Sequence, residues 1–291
     1  MRLLTTRFAP SPTGALHLGH AFSALWAHDV ARAAGGRFLL RIEDIDGTRS
    51  RPEHVAGILA DLTWLGLTWD VLSFQSQRLD AYAAALDRLR ACGLLYPCFC
   101  TRADIAREIA ASLAAPHGGD AAAYPGTCRR LRADARAARL GEPHAWRLDM
   151  AAAVAAGGPL AWSDDLAGPV SNDAAAHGDV VLARKDAPAS YHLAATIDDA
   201  AQGVTHVIRG ADLFTATHVH RLLQALLDLP TPIYCHHPLL VGADGRRLAK
   251  RDGAPSLAER RARREDGRAL ADALRVQITL AKSGEPPILP A

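Results

Sequence analysis

The chain has 291 residues, 49% of them hydrophobic and 22% charged, with 33 Lys and Arg against 31 Asp and Glu. This is the composition of a soluble globular protein of one large or two modest domains, and no apolar run is long enough to span a bilayer. A net charge of +2 requires no nucleic-acid partner, although it leaves room for a local basic face. The first apolar run is cut short by Arg7 and prolines, unlike a signal peptide. The five cysteines are odd in number and unevenly spaced, which favours reduced thiols or metal ligands over a disulfide framework. A cytoplasmic protein is expected.

In chain order, Leu3 to Thr6 reads as a short strand and Leu16 to about Ala33 as an apolar, alanine-rich helix. Pro10, Pro12 and Gly14 between them force a turn that presents the helix N-terminus, a natural seat for phosphate. Gly19 permits close approach of a nucleotide. His17 and His20 lie three residues apart on one face and can donate to phosphate oxygens, although such a pair alone is more often structural. Arg37 to Ile42 reads as a second strand, which completes a βαβ unit and implies a parallel sheet. Glu43, Asp44 and Asp46 follow at its carboxyl end, where open parallel sheets bind ligands.

Helices are expected over Pro52–Leu65 and Ser76–Arg90, whose apolar stripes face a core. From Leu94 the texture changes. Cys98, Cys100 and Cys128 offer three soft thiolates to a tetrahedral zinc, and His117 is the chemically conventional fourth ligand. Cys92 and Cys235 fall outside that cluster and read as apolar residues. A polar helix is expected over Thr101–Ala115 and an arginine-rich, solvated one over Arg129–Arg139. Gly157 to Ser190 is rich in Gly, Pro and Asp, with one strand candidate at Asp179–Arg184. Tyr191–Asp199 reads as a strand or helix start, Gly203–Asp212 as a strand running into a turn, and Phe214–Leu227 as a helix. Ile233–Val241 is strand-like, Ala243–Gly245 a turn, and Ser256–Leu274 one charged helix.

The string from Arg7 to Gly14, followed by His17-Leu18-Gly19-His20, closely resembles the nucleotide-binding signature of class I aminoacyl-tRNA synthetases in its glutamyl/glutaminyl form. Arg41-Ile42-Glu43-Asp44-Ile45-Asp46 resembles the same family, as do the segments around Tyr191 and Arg209. The resemblance implies an α/β fold: a Rossmann-like parallel sheet in two halves, 1–93 and 191–254. A zinc-containing insertion at 94–190 would divide them, and a C-terminal helix and tail would follow at 255–291. It implies phosphate-handling roles for His17, Gly19, His20 and Lys250. It also implies a glutamate pocket of Arg7, Phe8, Ala9, Pro10, Ser11, Glu43, Tyr191 and Arg209. Two carboxylates and one ammonium call for about two cations and one anion, which Arg7, Arg209 and Glu43 supply; which arginine takes which carboxylate stays open. Around Lys250 the chain departs from the family's lysine signature loop, with Arg247, Ala249 and Arg251 at altered positions. For the metal, the resemblance points to Cys98, Cys100, Tyr124 and Cys128, leaving Tyr124 and His117 both in play.

Only 41 residues follow Lys250, whereas an anticodon-binding domain needs roughly 100 as an independent fold. No such domain is therefore expected. A synthetase of that shape is similar to the glutamyl-queuosine tRNA(Asp) branch of the family. The expected partners are then ATP with Mg²⁺, L-glutamate and queuosine-containing tRNA(Asp), with one structural Zn²⁺, no membrane and a monomeric chain. Rival readings are a minimal glutamyl-tRNA synthetase charging a 3′ end, a cofactor adenylyltransferase, and a non-catalytic tRNA- or zinc-binding module.

Overall fold

The strand after the first few residues, β1 (Thr5–Phe8), is buried at all four positions. It starts two residues later than the expected Leu3–Thr6 because Leu3 is half exposed while Arg7 and Phe8 face the interior. The structure, a computed structural model, describes residues 3–101, 103–106, 124–242 and 255–289. α1 (Leu18–Ala33) leads back to β2 (Arg37–Ile42), which pairs in parallel with β1, Thr5 opposite Arg37. α2 (Pro52–Trp64) then precedes β3 (Val71–Phe74), parallel on the outer side of β2. β3 has no counterpart among the expected strands: it is four residues long and partly exposed, so it carries no strong apolar run. α3 (Leu79–Ala91) begins later than Ser76 because Gln75–Gln77 form a separate 3₁₀ turn.

β4 (Leu95–Cys98) opens a different unit. It pairs antiparallel with β5 (Ala145–Leu148), after the short α4 (Ala133–Ala138), the helical part of the Arg129–Arg139 run. α5 (Met150–Gly157) is followed by a hairpin of β6 (Ala161–Asp164) and β7 (Gly168–Ser171), and β8 (Val181–Ala183) returns to pair with β5. Tyr191 begins a helix, α6 (Tyr191–Ala201), not a strand. β9 (His206–Gly210), α7 (Ala216–Leu226) and β10 (Ile233–His237) form a second βαβ unit, β9 and β10 being parallel. β6 pairs in parallel with the far side of β10. The 94–190 stretch expected as one insertion thus contributes to two sheets: β4, β5 and β8 make one, and β6 and β7 extend the sheet of β9 and β10.

β11 (Val241–Gly242), α8 (Leu257–Ala262), α9 (Gly267–Lys282) and β12 (Ile288–Leu289) complete the described chain. The single helix expected over Ser256–Leu274 is two, because Arg264 takes a left-handed conformation (φ 60°) between them. Gly267 starts α9 against Trp64, whose carbonyl oxygen would lie 2.3 Å from any Cβ placed there. The helix expected over Thr101–Ala115 and the turn at Ala243–Gly245 lie largely or wholly outside the described residues.

The parallel sheet of β1 to β3 and the mixed sheet of β9, β10, β6 and β7 meet at β1 and β9. Thr205 donates its backbone N–H to the Thr5 carbonyl at 2.9 Å, and the Thr5 N–H donates to Thr205 Oγ1 at 2.8 Å. The order across the molecule is therefore β3-β2-β1, then β9-β10-β6-β7. α1 lies in the core between this seam and α9, with Ala21, Phe22, Ala24 and Leu25 fully buried. Its apolar residues pack toward the core, while His28, Asp29 and Arg32 fall on a less buried side, where Asp29 pairs with Arg275 and Arg32 with Asp70. No helix among the described residues is long and apolar enough to cross a membrane.

Candidate active site

In a doubly wound sheet, ligands bind at the carboxyl ends of the strands where the strand order reverses. Here that point is the β1–β9 seam, and a cleft of about 610 Å³ opens there. Arg7, Phe8, Ala9, Pro10, Ser11, His17, Gly19, His20, Glu43, Tyr191 and Arg209 all line it. Every site residue anticipated for the nucleotide and amino acid is thus brought together except Lys250, which lies outside the described residues with Arg247, Ala249 and Arg251.

His17 is the N-cap of α1, with extended backbone (φ −125°, ψ 176°). Its Nδ1 accepts the Gly19 N–H at 3.1 Å, while the His17 N–H donates to Nδ1 of His20 at 3.2 Å. This reciprocal capping box satisfies two backbone donors that a helix start would leave over. It also fixes the chemistry of both rings. A neutral imidazole whose Nδ1 accepts carries its proton on Nε2, so both histidines are set as Nε2–H donors. The rings stack with centroids 3.8 Å apart beside the positive end of the α1 dipole. A Cβ on residue 19 would sit 3.1 Å from the His17 ring, close enough that the ring would have to shift by a few tenths of an ångström.

At the seam, Arg7 is 4% exposed, and its Nε donates to Asp199 Oδ1 at 3.0 Å. The wholly buried Arg41 donates to the same oxygen at 2.8 Å, to Gln202 at 3.0 Å and to Glu43 Oε1 at 3.4 Å. Burial opposes the Asp199 charge, but the two guanidiniums outweigh it and hold the carboxyl below its usual range. Glu43 goes the other way: burial pushes its carboxyl up, against the attraction of Arg41 and Arg7. Below them Asp198 accepts from Arg78 at 2.5 Å, Tyr82 at 2.7 Å and Gln75 at 3.0 Å. Arg209, across the cleft, donates to the Tyr191 hydroxyl at 2.9 Å.

Several of these residues have no reading from the sequence. Asp198 and Asp199, adjacent acids in an otherwise apolar helix, are the available signal for the network behind Arg7. His237, which accepts or donates with Ser23 Oγ at 2.8 Å and lines the cleft, is concealed in a strand-like run.

A second constellation lies at the end of β4. The sulfurs of Cys98, Cys100 and Cys128 lie within 4.8 Å of one another. The Tyr124 hydroxyl is 3.5 Å from Cys98 Sγ and 3.4 Å from Cys100 Sγ. Around a tetrahedral zinc with ordinary bond lengths, sulfur and oxygen ligands would stand about 3.5 Å apart, so the four groups fit that ion. The Phe99 N–H donates to Cys128 Sγ at 3.3 Å and the Cys128 N–H to the Tyr124 oxygen at 2.9 Å. The Arg147 guanidinium lies 3.9 Å over the Tyr124 ring. Burial opposes charge on the Cys128 thiol, but these hydrogen bonds outweigh it and hold the thiol below its usual range, whereas burial pushes the Tyr124 hydroxyl up and the Cys100 thiol up to about 12. His117 lies outside the described residues.

The model of class I tRNA synthetases (E and Q), catalytic domain, matches residues 3–278. Glutamyl-Q tRNA(Asp) synthetase of Rhodobacter capsulatus is 52% identical over 268 residues, covering 89% of this chain and 95% of that protein. Glutamyl-Q tRNA(Asp) synthetase of Symbiobacterium thermophilum is 48% identical, covering 89% and 82%. Among solved structures, a glutamate tRNA ligase from Elizabethkingia meningosepticum in complex with its amino acid superposes with a TM-score of 0.75 at 30% identity. That alignment covers 86% of this chain and 52% of the ligase, so the chain spans about half the length of that enzyme.

Proposed function

The chain belongs to the E and Q group of class I tRNA synthetases, and we propose that it activates L-glutamate with ATP and transfers the glutamyl group to the queuosine base at the wobble position of tRNA(Asp). The observation that carries this reading is the near end-to-end likeness to proteins named for that product, joined to a cleft whose charges suit glutamate. Arg7 and Arg209 face the two carboxylates, Glu43 faces the ammonium, and the backbone from Phe8 to Ser11 forms the floor. His17 and His20 offer Nε2–H donors to the phosphates beside Gly19, and Lys250 is assigned to the same phosphates.

In the first step a carboxylate oxygen of glutamate bonds to the α-phosphorus of ATP as the bond to pyrophosphate breaks, leaving glutamyl-adenylate. Donors aimed at the transferring phosphate stabilise charge that grows in the transition state. In the second, a hydroxyl of the queuosine cyclopentene ring bonds to the glutamyl carbonyl carbon, AMP leaves, and the hydroxyl proton passes to solvent or to the departing phosphate. Holding both reactants in one cleft supplies much of that step. Mg²⁺ bound with ATP supplies further neutralisation of phosphate charge. Cys98, Cys100, Tyr124 and Cys128 would hold a structural Zn²⁺, since four protein ligands would leave no position for substrate.

The test uses labelled glutamate, ATP and tRNA(Asp) with and without queuosine, followed by nuclease digestion. Label on the anticodon fragment only when queuosine is present is the expected result. Label on the 3′-terminal adenosine would make the chain a minimal glutamyl-tRNA synthetase instead.

A further inference from the structure

Arg209 differs from Arg7 in what holds it. Its Nε–H donates to His236 Nε2 at 3.0 Å, its Nη2 to Thr217 Oγ1 at 2.6 Å and its Nη1 to the Tyr191 hydroxyl at 2.9 Å. His220 Nδ1 lies 3.4 Å from Nη1. None of these partners is a carboxylate. The nearest acid in the chain of bonds is one imidazole away: Asp164 Oδ2 accepts from His236 Nδ1 at 2.7 Å, with both side chains almost wholly buried. Asp164 is itself fixed. Its Oδ1 accepts the backbone N–H groups of Leu166 at 2.9 Å and Ala167 at 3.0 Å, and Oδ2 also takes the His236 N–H at 3.2 Å.

The bond directions leave one consistent arrangement. A carboxylate only accepts, so the proton of neutral His236 stays on Nδ1. Nε2 then presents a lone pair to a guanidinium, which only donates, and to the Thr217 hydroxyl 3.1 Å away, which accepts from Arg209 and can give its own proton to the ring. The other tautomer would set N–H against N–H in a dry site. The same logic makes a carboxylate hold a histidine in its working tautomer in hydrolase triads.

We propose that Asp164 and His236 are positioning residues for Arg209. The carboxylate fixes the imidazole tautomer, and the imidazole holds the guanidinium plane through a neutral acceptor. Arg209 is thereby oriented without being neutralised, and its whole charge is left to a carboxylate of the substrate. A carboxylate set directly on Arg209 would orient it equally well but would compete with the ligand, as Asp199 does at Arg7. This inference rests on the glutamate reading above. Nothing in the sequence marks it, because Asp164 and His236 are 72 residues apart and meet only where β6 joins β10.

The test is glutamate-dependent ATP–pyrophosphate exchange by the full chain, with KM measured separately for glutamate and for ATP in wild type, Asp164→Asn, His236→Leu and His236→Gln. Leaving a buried guanidinium donor without its acceptor is expected to raise the glutamate KM roughly ten-fold in Asp164→Asn and His236→Leu. The ATP KM should stay within about two-fold of wild type, a split that general loosening would not produce. In the His236→Gln variant the new side-chain amide can give Asp164 a donor and Arg209 an acceptor, so it should recover most of the loss seen with leucine. If Asp164→Asn fails to fold through damage to its turn caps, the two His236 variants, which keep those caps, carry the comparison. A glutamate KM within two-fold of wild type in His236→Leu, or equal loss in the leucine and glutamine variants, would overturn the proposal. Absence of glutamate-dependent exchange in the wild type would instead overturn the glutamate reading beneath it.

Discussion

The shared oxygen of Asp199 gives the most demanding test of the network behind the cleft. Two guanidiniums, Arg7 at 3.0 Å and Arg41 at 2.8 Å, donate to Oδ1, and the three side chains are 5%, 0% and 9% exposed. Asp199→Asn keeps the shape and removes the charge, leaving two like charges facing one amide among almost wholly buried side chains. Breaking one side of a buried ion pair costs about 3–5 kcal/mol. At roughly 2–4 °C per kcal/mol for a chain of this size, the melting temperature should fall by about 6–20 °C. Arg41→Met should cost a similar amount, because Asp199, Glu43 and Asp198 lose their common cation. The double variant removes a matched pair of charges, so it should be less destabilised than the sum of the singles by at least about 1 kcal/mol. Thermal unfolding at pH 7, followed by circular dichroism, measures all three. Strict additivity, or an Asp199→Asn melting point within about 2 °C of wild type, would refute the view that these charges hold one another in place.

Gly19→Ala would bring a methyl group to 3.1 Å from the His17 ring, turn the imidazole and break its bond to the residue 19 N–H. The kcat/KM for ATP in pyrophosphate exchange should fall roughly ten-fold, with a cap worth about 1 kcal/mol also lost; unchanged ATP kinetics would remove the His17 ring from the mechanism. Tyr124→Phe removes a ligand atom 3.4–3.5 Å from two thiols, so zinc measured by atomic absorption after dialysis against a chelator should be lost from the variant before wild type. Equal retention would transfer the fourth position to another residue. Burial pushes His192 and His237 down to about 4. Their folded values lie below the ordinary 6.5, so the stability they confer is fully present above pH 6.5 and is lost as pH falls toward 4. The melting temperature should drop across that window, and a flat profile would show that neither ring stays neutral in the fold.

What is legible in the sequence is what depends on neighbours in the chain. Residues 3–20 declare a strand, a proline-rich turn and a helix start within eighteen positions, with the strand itself displaced by two residues, and β2 falls at its expected bounds. The cysteines converge as the resemblance implies, with Tyr124 against two of them. What stays concealed depends on partners distant in sequence. β3 is too short and too exposed for a pattern, yet pairing with β2 makes it a strand. β6 lies in a stretch rich in Gly, Pro and Asp and becomes part of the main sheet only because Tyr234 lies opposite Asp164. Arg41 falls within an expected strand, and its complete burial follows from Asp199, 158 residues further on. The break between α8 and α9 needs a positive φ at an arginine, which no local propensity announces.

The charges that touch one another around the seam explain why one arginine is held by an acid and the other by neutral groups. Arg7, Arg41 and Arg78 are matched by Glu43, Asp198 and Asp199, so this buried network is neutral as a whole. Neutrality lets it stay buried, since an unpaired ion there would cost several kcal/mol. A neutral network can orient a ligand's ammonium and carboxylate through individual bonds, but it offers no net attraction to an anion. Arg209 lies outside that balance, with His236, Thr217 and Tyr191 as its hydrogen-bond partners. Glutamate, with two carboxylates and one ammonium, carries one net negative charge, and glutamine carries none. Among the described residues, a guanidinium held by neutral partners favours the amino acid with the extra negative charge, which shape alone would not select, an amide and a carboxylate being nearly the same size. Under the proposed glutamate reading, the neutrality of the groups that hold Arg209 matters as much as the arginine itself.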